Sequence, residues 1–269
     1  MCPRIVSIGP FTIYGFGLML AIGFIVGSML FAAEFKRRNL DPAYANTITL
    51  IALIAGIVGS KILYLIENWS EFIVDPIGMA FNPGGLTFYG GFILATVVIY
   101  FYVKSKKLHF LTVADAISPA LILAYGIARI GCHLAGDGDY GFPTTLPWGT
   151  DYSHGTYPPS YAFRDFPEIT SQFPNGIVPN TIPCHPTPVY EFIICSIMFI
   201  YLWKIRKKPA PTGKLFMLYL ILAGSERFAI EFIRLNPRIL FGMTEAQLIS
   251  IVMILIGAVG IRVLSKQEA

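Results

Sequence analysis

Charge is scarce in this sequence: Asp, Glu, Lys and Arg fill 13% of the 269 positions, where a water-soluble domain carries roughly 25%. So few charges cannot clothe a chain of this length in water, and the mean hydropathy of +0.63 agrees. Histidine and cysteine number four each, and Cys2, Cys132, Cys184 and Cys195 lie far apart, without the CxxC spacing of a zinc or redox centre. A disulfide framework is not expected. No HExxH motif is present, so His154, Cys184 and His185 make a poor metal set, and His109 beside a basic loop reads as solvated. Asp137 and Asp139 stand among Gly131, Gly136, Gly138 and Gly141, but without the spacing of a calcium loop. No internal repeat suggests a two-halved transporter. The first apolar run lacks a small-residue cleavage pattern and is expected to remain as a span. The net charge of +4 is small, and its basic residues cluster beside apolar runs, which fits membrane orientation and not nucleic-acid binding.

What the chain has in abundance is apolar length. Runs at about 12–33, 46–66, 86–103, 113–135, 188–204, 214–235 and 246–264 approach or exceed the ~20 residues that cross a bilayer. Lipid satisfies no backbone hydrogen bonds, so such runs must be helices, being too long for barrel strands. The expected fold is an all-α integral membrane protein of about seven transmembrane helices in one domain, residues 1–269. Basic residues divide unevenly between alternate loops: thirteen, including Lys36, Lys104, Lys207 and Lys266, against Arg4, Arg164, Arg234 and Arg238. The positive-inside rule then puts the N-terminus outside and the C-terminus in the cytoplasm. The long connection 136–186, rich in Pro, Tyr, Gly and Asp, becomes an outer loop partly packed on the membrane surface.

Several charged or titratable residues fall within the apolar runs or at their ends: Lys61, Arg129, His133, Glu191, Glu226, Arg227 and Glu231. A charge at bilayer depth costs at least ~2.5–3.5 kcal/mol, so each needs a partner or a wet cavity, and a functional site is the default. The bland alternative is ion pairing that only fixes helix register. Arg129 and His133 share a helix face, as do Arg227 and Glu231, with Arg234 a turn further on. Glu191 follows Pro186 near a helix start, where a negative charge is favoured in any case. The segment Asn82-Pro83-Gly84-Gly85-Leu86-Thr87-Phe88-Tyr89-Gly90-Gly91 permits close approach of another backbone or a ligand around Tyr89. Interfacial anchoring and tight helix packing would explain it equally.

Taken in order, Tyr14-Gly15, Gly84 to Gly91, Arg129-Ile130-Gly131, Leu146-Pro147-Trp148-Gly149, His185-Pro186-Thr187-Pro188-Val189-Tyr190-Glu191, Arg227 to Arg234 and Gln247-Leu248-Ile249-Ser250 resemble the blocks of the prolipoprotein diacylglyceryl transferase family, across most of the chain. The resemblance implies an enzyme of the bacterial inner membrane. It would move diacylglyceryl from phosphatidylglycerol to the lipobox cysteine of preprolipoprotein signal peptides. By position, Arg129 and Arg227 match the two arginines used at the phospholipid head group. Glu231 and Arg234 match their neighbours, Tyr14 the first-span tyrosine, and His185 and Glu191 the start of the fifth span. Gly141 and Cys132 complete the expected substrate-binding set. The chain also departs from the pattern. Tyr89 stands where the family has histidine, Cys132 where it has asparagine, and Ala223 where it has tyrosine. Asp137 stands where it has glutamate, in a Gly136–Gly141 stretch one residue longer than its counterpart.

The implied reaction is attack of a thiolate on the terminal glyceryl carbon, with glycerol phosphate leaving and a thioether formed. It requires no metal, nucleotide or other cofactor. A cation must take up charge on the departing phosphate, and Arg227 and Arg129 suit this because guanidinium stays protonated and binds phosphate in a fork. A base or field must favour thiolate over a thiol of pKa ~8.5. Tyr89, His133 and Glu191 are the candidates. Two other functions stay open at this point: a non-catalytic lipid-binding relative, and an enzyme of the same fold with another acceptor. The orientation is checked by placing cysteine at Ser160, which an impermeant maleimide should label from outside intact cells. Labelling only after the membrane is opened would reverse the topology.

Overall fold

In the computed structural model, residues 1–9, 11–82 and 84–266 are described. Pro83 of the glycine-rich segment and residues 267–269 at the C-terminus lie outside them. The chain begins with strands β1 (Arg4–Ile8) and β2 (Phe11–Tyr14), followed by helices α1 (Gly15–Arg37) and α2 (Pro42–Glu67). Two short helices, α3 (Trp69–Val74) and α4 (Pro76–Phe81), lead to α5 (Phe88–Ser105) and α6 (Phe110–Ala135). The long connection holds β3 (Thr150–Asp151), α7 (Pro159–Ala162), α8 (Pro167–Thr170) and β4 (Pro183–Cys184). Then come α9 (Thr187–Ile205), α10 (Lys214–Ile230), β5 (Arg238–Leu240), β6 (Met243–Thr244) and α11 (Glu245–Lys266).

Among the described residues, α1, α2, α5, α6, α9 and α11 are long and apolar enough to cross a membrane. The protein is a multi-pass, all-α membrane protein; among the described residues the strands form three two-stranded antiparallel pairs. The seventh expected span is shorter than its apolar run. Helix α10 has 17 residues and tightens at Glu231–Ile233 into a 3₁₀ turn. The first span also starts later than hydropathy suggests, because residues from Phe11 to Tyr14 pair with β1 and helix begins at Gly15. Local chemistry sets other boundaries. Asp41 caps α2 by accepting from the Ala43 N–H, with Pro42 in the first turn, and Asn68 closes its far end on the Tyr64 carbonyl.

Two compact units make up the chain, one of residues 1–27 with 117–269 and the other of residues 28–116. In the first, glycines let backbones meet: Gly23 faces the Ala124 carbonyl, Gly126 faces Cys195, and Gly224 faces the Ser250 carbonyl. The 136–186 connection has an apolar core of its own, built on Tyr140, Tyr152, Phe163, Ile169, Val178 and Cys184. Tyr140 and Tyr152 stack with ring centres 4.2 Å apart, and burial raises both phenol pKa values.

The second unit is organised by α2 against α5. A Cβ on Gly59 would run into the Gly90 carbonyl and lie 2.7 Å from Leu94 Cβ, whereas one on Gly56 would meet nothing within 4 Å. Small residues are what allow such contact in lipid, where water supplies no driving force between helices. Gly59→Ala is therefore expected to destabilise the detergent-solubilised protein by about 1–3 kcal/mol, the usual scale of overpacking. Gly56→Ala should leave the thermal midpoint unchanged. Equal midpoints for the two variants would refute the close-contact account.

Candidate active site

The centre of the first unit is Glu191, the fifth residue of α9, with a fully buried side chain. It accepts from Arg129 Nε at 2.5 Å, from Arg227 Nη1 at 3.3 Å, from Arg234 Nη1 at 3.3 Å and from the Tyr125 hydroxyl at 3.0 Å. Four segments converge on this carboxylate: α6 brings Tyr125 and Arg129 from successive turns, α9 brings Glu191, α10 brings Arg227, and the extended residue after the 3₁₀ turn brings Arg234. Two further acids complete the network. Asp139 binds Arg129 Nη1 at 2.6 Å and also Arg234, while Glu231 lies 2.9 Å from Arg227 Nη2. Three guanidiniums thus face three carboxylates.

Pairing of this kind makes a buried cluster tolerable, since an isolated charge there would be far more costly. It does not use every donor. Arg129 Nη2 is buried with no hydrogen-bond partner among the described residues. An unmet buried donor costs about 1–3 kcal/mol, more when charged, and an arriving anionic oxygen would remove that cost. The three arginines also differ in access, with side chains 26% exposed at Arg227, 12% at Arg129 and 6% at Arg234. Arg227 therefore has the most room to meet a ligand. On the far side of Arg234 and Glu231 lies a cavity of about 310 Å³, lined also by Asn236 and Gln247. Asn236 Nδ2 donates to Glu231, and Gln247 accepts from the Thr244 N–H.

A buried cluster of forked cations, with Arg129 Nη2 and Arg234 Nε unmet among the described residues, inside a bundle of apolar helices is built for an anionic lipid head group. Residues 3–263 match the family described as prolipoprotein diacylglyceryl transferase. The chain belongs to that family. Relatives named phosphatidylglycerol–prolipoprotein diacylglyceryl transferase include the Clostridium tetani protein, 31% identical over 96% of this chain and 95% of its own. Others are the Clostridioides difficile protein, 29% identical over 96% of this chain and 95% of its own, and a Leptospira interrogans protein, 27% identical over 93% and 87%. The protein is a diacylglyceryl transferase by family.

The structure brings Arg129, Glu191, Arg227, Glu231 and Arg234 together, and Cys132 joins them, its Sγ accepting from Arg129 Nη1 at 3.3 Å. Gly141 is a meeting point: its N–H donates to the His185 carbonyl, and a Cβ there would strike the Ile233 carbonyl and lie 2.9 Å from Thr187. His185 Nδ1 is hydrogen-bonded to the Tyr190 hydroxyl at 3.3 Å, and burial lowers its imidazole pKa. His133 turns toward the 136–186 connection, with Nδ1 2.9 Å from the Tyr152 hydroxyl and the two rings edge to face. Tyr14 ends β2 and is exposed. Tyr89 belongs to the second unit, on the first turn of α5.

Sequence reasoning missed Asp139 and Tyr125. Tyr125 lies one helical turn before Arg129, a spacing that marks it as a neighbour, whereas nothing local reveals that Asp139 meets Arg129 and Arg234. Cys132, Asp137 and Asp139 bring potential metal-ligand atoms within 4.8 Å of one another. Asp139 is already neutralised by two arginines, which a dication would have to displace.

Burial alone would raise the Asp139 pKa, but Arg129 and Arg234 overcome it and hold the carboxyl at about 2 against an ordinary 3.8. A depressed pKa means that the stabilisation is present above the unfolded value and is lost as pH falls through the folded one. Asp139→Asn should therefore lower the thermal midpoint at pH 6, with the gap to the parent narrowing as pH falls from about 4 toward 2. A gap independent of pH would show that the charge on Asp139 does not stabilise the fold.

Proposed function

We propose that this enzyme transfers diacylglyceryl from phosphatidylglycerol to the lipobox cysteine of preprolipoproteins, in the bacterial inner membrane, as a single transferase domain with its N-terminus and loop 136–186 outside. The observation that carries the proposal is the unmet Arg129 donor beside the partly exposed Arg227, in a network that three carboxylates hold in place.

In the reaction, the thiol sulfur attacks the terminal glyceryl carbon of the lipid. The S–C bond forms as the C–O bond to phosphate breaks, and the electron pair leaves on the phosphate oxygen. Arg129 and Arg227 receive that charge through hydrogen bonds strengthened by low-dielectric surroundings. Glu191, Glu231 and Asp139 fix the orientation of the arginine forks, so little reorganisation is needed when charge appears. The cavity beside Arg234, Glu231 and Asn236 is lined also by Asp165 and Glu168 of the 136–186 connection, so its walls are charged as well as apolar.

The thiol proton goes to a base, and Tyr89 takes this role. Supporting it is its place in the family block, where the pattern has histidine. His133 Nδ1 is engaged by Tyr152, and Glu191 carries four hydrogen-bond donors already. A phenol of pKa ~10 must first be brought to phenolate before it can take up a proton.

Transfer of labelled diacylglyceryl from phosphatidylglycerol to a lipobox peptide is the deciding assay. Wild-type protein should modify the peptide, and lipid binding without transfer would sink the enzyme assignment. Arg129→Lys and Arg227→Lys should each lose most activity although charge is kept, because an ammonium cannot reproduce the bidentate fork. Tyr89→Phe should lower the rate by ~10²-fold or more, the scale of acid–base catalysis, with His133→Gln nearly unaffected. Exchange of those last two outcomes would move the base to His133.

A further inference from the structure

Lys61 lies inside α2, six residues before its end, yet it takes no part in the arginine network. Its ammonium has three N–H donors, and all three are used on backbone carbonyls: Met79 O at 3.2 Å, Asn82 O at 2.8 Å and Gly84 O at 2.7 Å. The Tyr64 ring lies 5.3 Å from the same nitrogen. Two of these carbonyls belong to the end of α4 and its cap, Met79 and Asn82, where the negative pole of a helix favours a cation.

The rest of the segment is tied to α2 as well. The Thr87 N–H donates to the Ser60 carbonyl at 3.1 Å, and the Thr87 hydroxyl donates to Glu67 at 2.7 Å. Gly85 has φ +67°, and any side chain there would collide with Tyr64. Gly90 lies against Gly59, and Gly91 against Gly56 and Ser60. Tyr89 sits two residues beyond Thr87 and one before Gly90, so the backbone on both sides of it is fixed to one face of α2.

A lone cation in a membrane span, with its protons donated to the last turn of α4 and to the irregular backbone after it, is a structural clasp on whatever that backbone carries. Here it carries the first turn of α5. We infer that Lys61 is a positioning residue: its three hydrogen bonds to residues 79, 82 and 84 set the placement of Tyr89 for proton transfer. The inference rests on the assignment of Tyr89 as base. No step of the chemistry passes through Lys61 itself, which meets neither lipid nor thiol.

The test uses the full-length enzyme in nanodiscs containing phosphatidylglycerol. Lys61→Met keeps an unbranched stem of similar shape and removes all three donors. It should lower kcat by ~10-fold or more, as small misplacements of catalytic groups do, with KM for phosphatidylglycerol little changed. Lys61→Arg, which keeps a charged donor, should recover much of the loss. Hydrogen exchange of the amides at 84–88 should accelerate in Lys61→Met and return toward normal in Lys61→Arg. In a Tyr89→Phe background, Lys61→Met should cost nothing further.

A rise in KM at constant kcat would mean that Lys61 binds lipid directly and would overturn the inference. Additive losses in the double variant would overturn it equally, since Lys61 would then act by a route other than Tyr89. Unchanged exchange at 84–88 would refute the clasp whatever the kinetics. Full activity of Tyr89→Phe would instead defeat the base assignment. Accelerated exchange and a lower kcat in Lys61→Met would then still mark the clasp as real, with another residue of the α5 first turn as its beneficiary.

Discussion

One buried carboxylate organises the first unit. Glu191 has no exposure to solvent, and an unpaired charge in that position would cost several kcal/mol, so the fold is obliged to bring cations to it. It brings three, from three different segments, together with the Tyr125 hydroxyl. Each of those arginines would in turn be intolerable without its carboxylate. Mutual dependence of this kind makes the meeting of α6, α9, α10 and the residue after the 3₁₀ turn a condition for burying any of them. It also readies the site for chemistry. Arginines held by acids are already oriented, and the donor left unmet on Arg129 marks where a further anionic oxygen gains most.

Glycine solves a different problem. Helices in lipid gain little from hiding apolar side chains from one another, so they associate through close contact and hydrogen bonds. Gly59 with Gly90, and Gly23 with the Ala124 carbonyl, provide the contact. Lys61, Thr87 and Glu67 provide hydrogen bonds that tie the irregular segment after α4 to the α2 helix. Irregular backbone at a membrane boundary needs such partners, because its carbonyls would otherwise face lipid. The same logic explains the long 136–186 connection, which is held by an aromatic core around Tyr140, Tyr152 and Phe163.

Much of this was legible along the chain. Scarcity of charge and the apolar runs determined a helical membrane protein, since lipid leaves no other way to satisfy so many backbone groups. The charges inside those runs, Arg129, Glu191, Arg227 and Glu231, were legible as a site because their cost demands a reason. The order of the motif blocks determined the family. These are local properties: each depends on a residue and its near neighbours in sequence.

What only the tertiary structure decided is which charge meets which. Glu191 looked like a stabiliser of its own helix start and proves to be the hub of three arginines. Asp139 looked like part of an acidic glycine loop and is the second bridge between Arg129 and Arg234. His133, one turn from Arg129 in sequence, points instead to Tyr152 in the 136–186 connection, and Lys61 spends its protons on backbone. Pairings of arginine with Glu191 or Asp139 across 36 to 95 residues of chain leave no periodicity to read. They arise because a buried charge takes the nearest partner in space, and nearness in space is set by how helices pack, not by the order of residues along them.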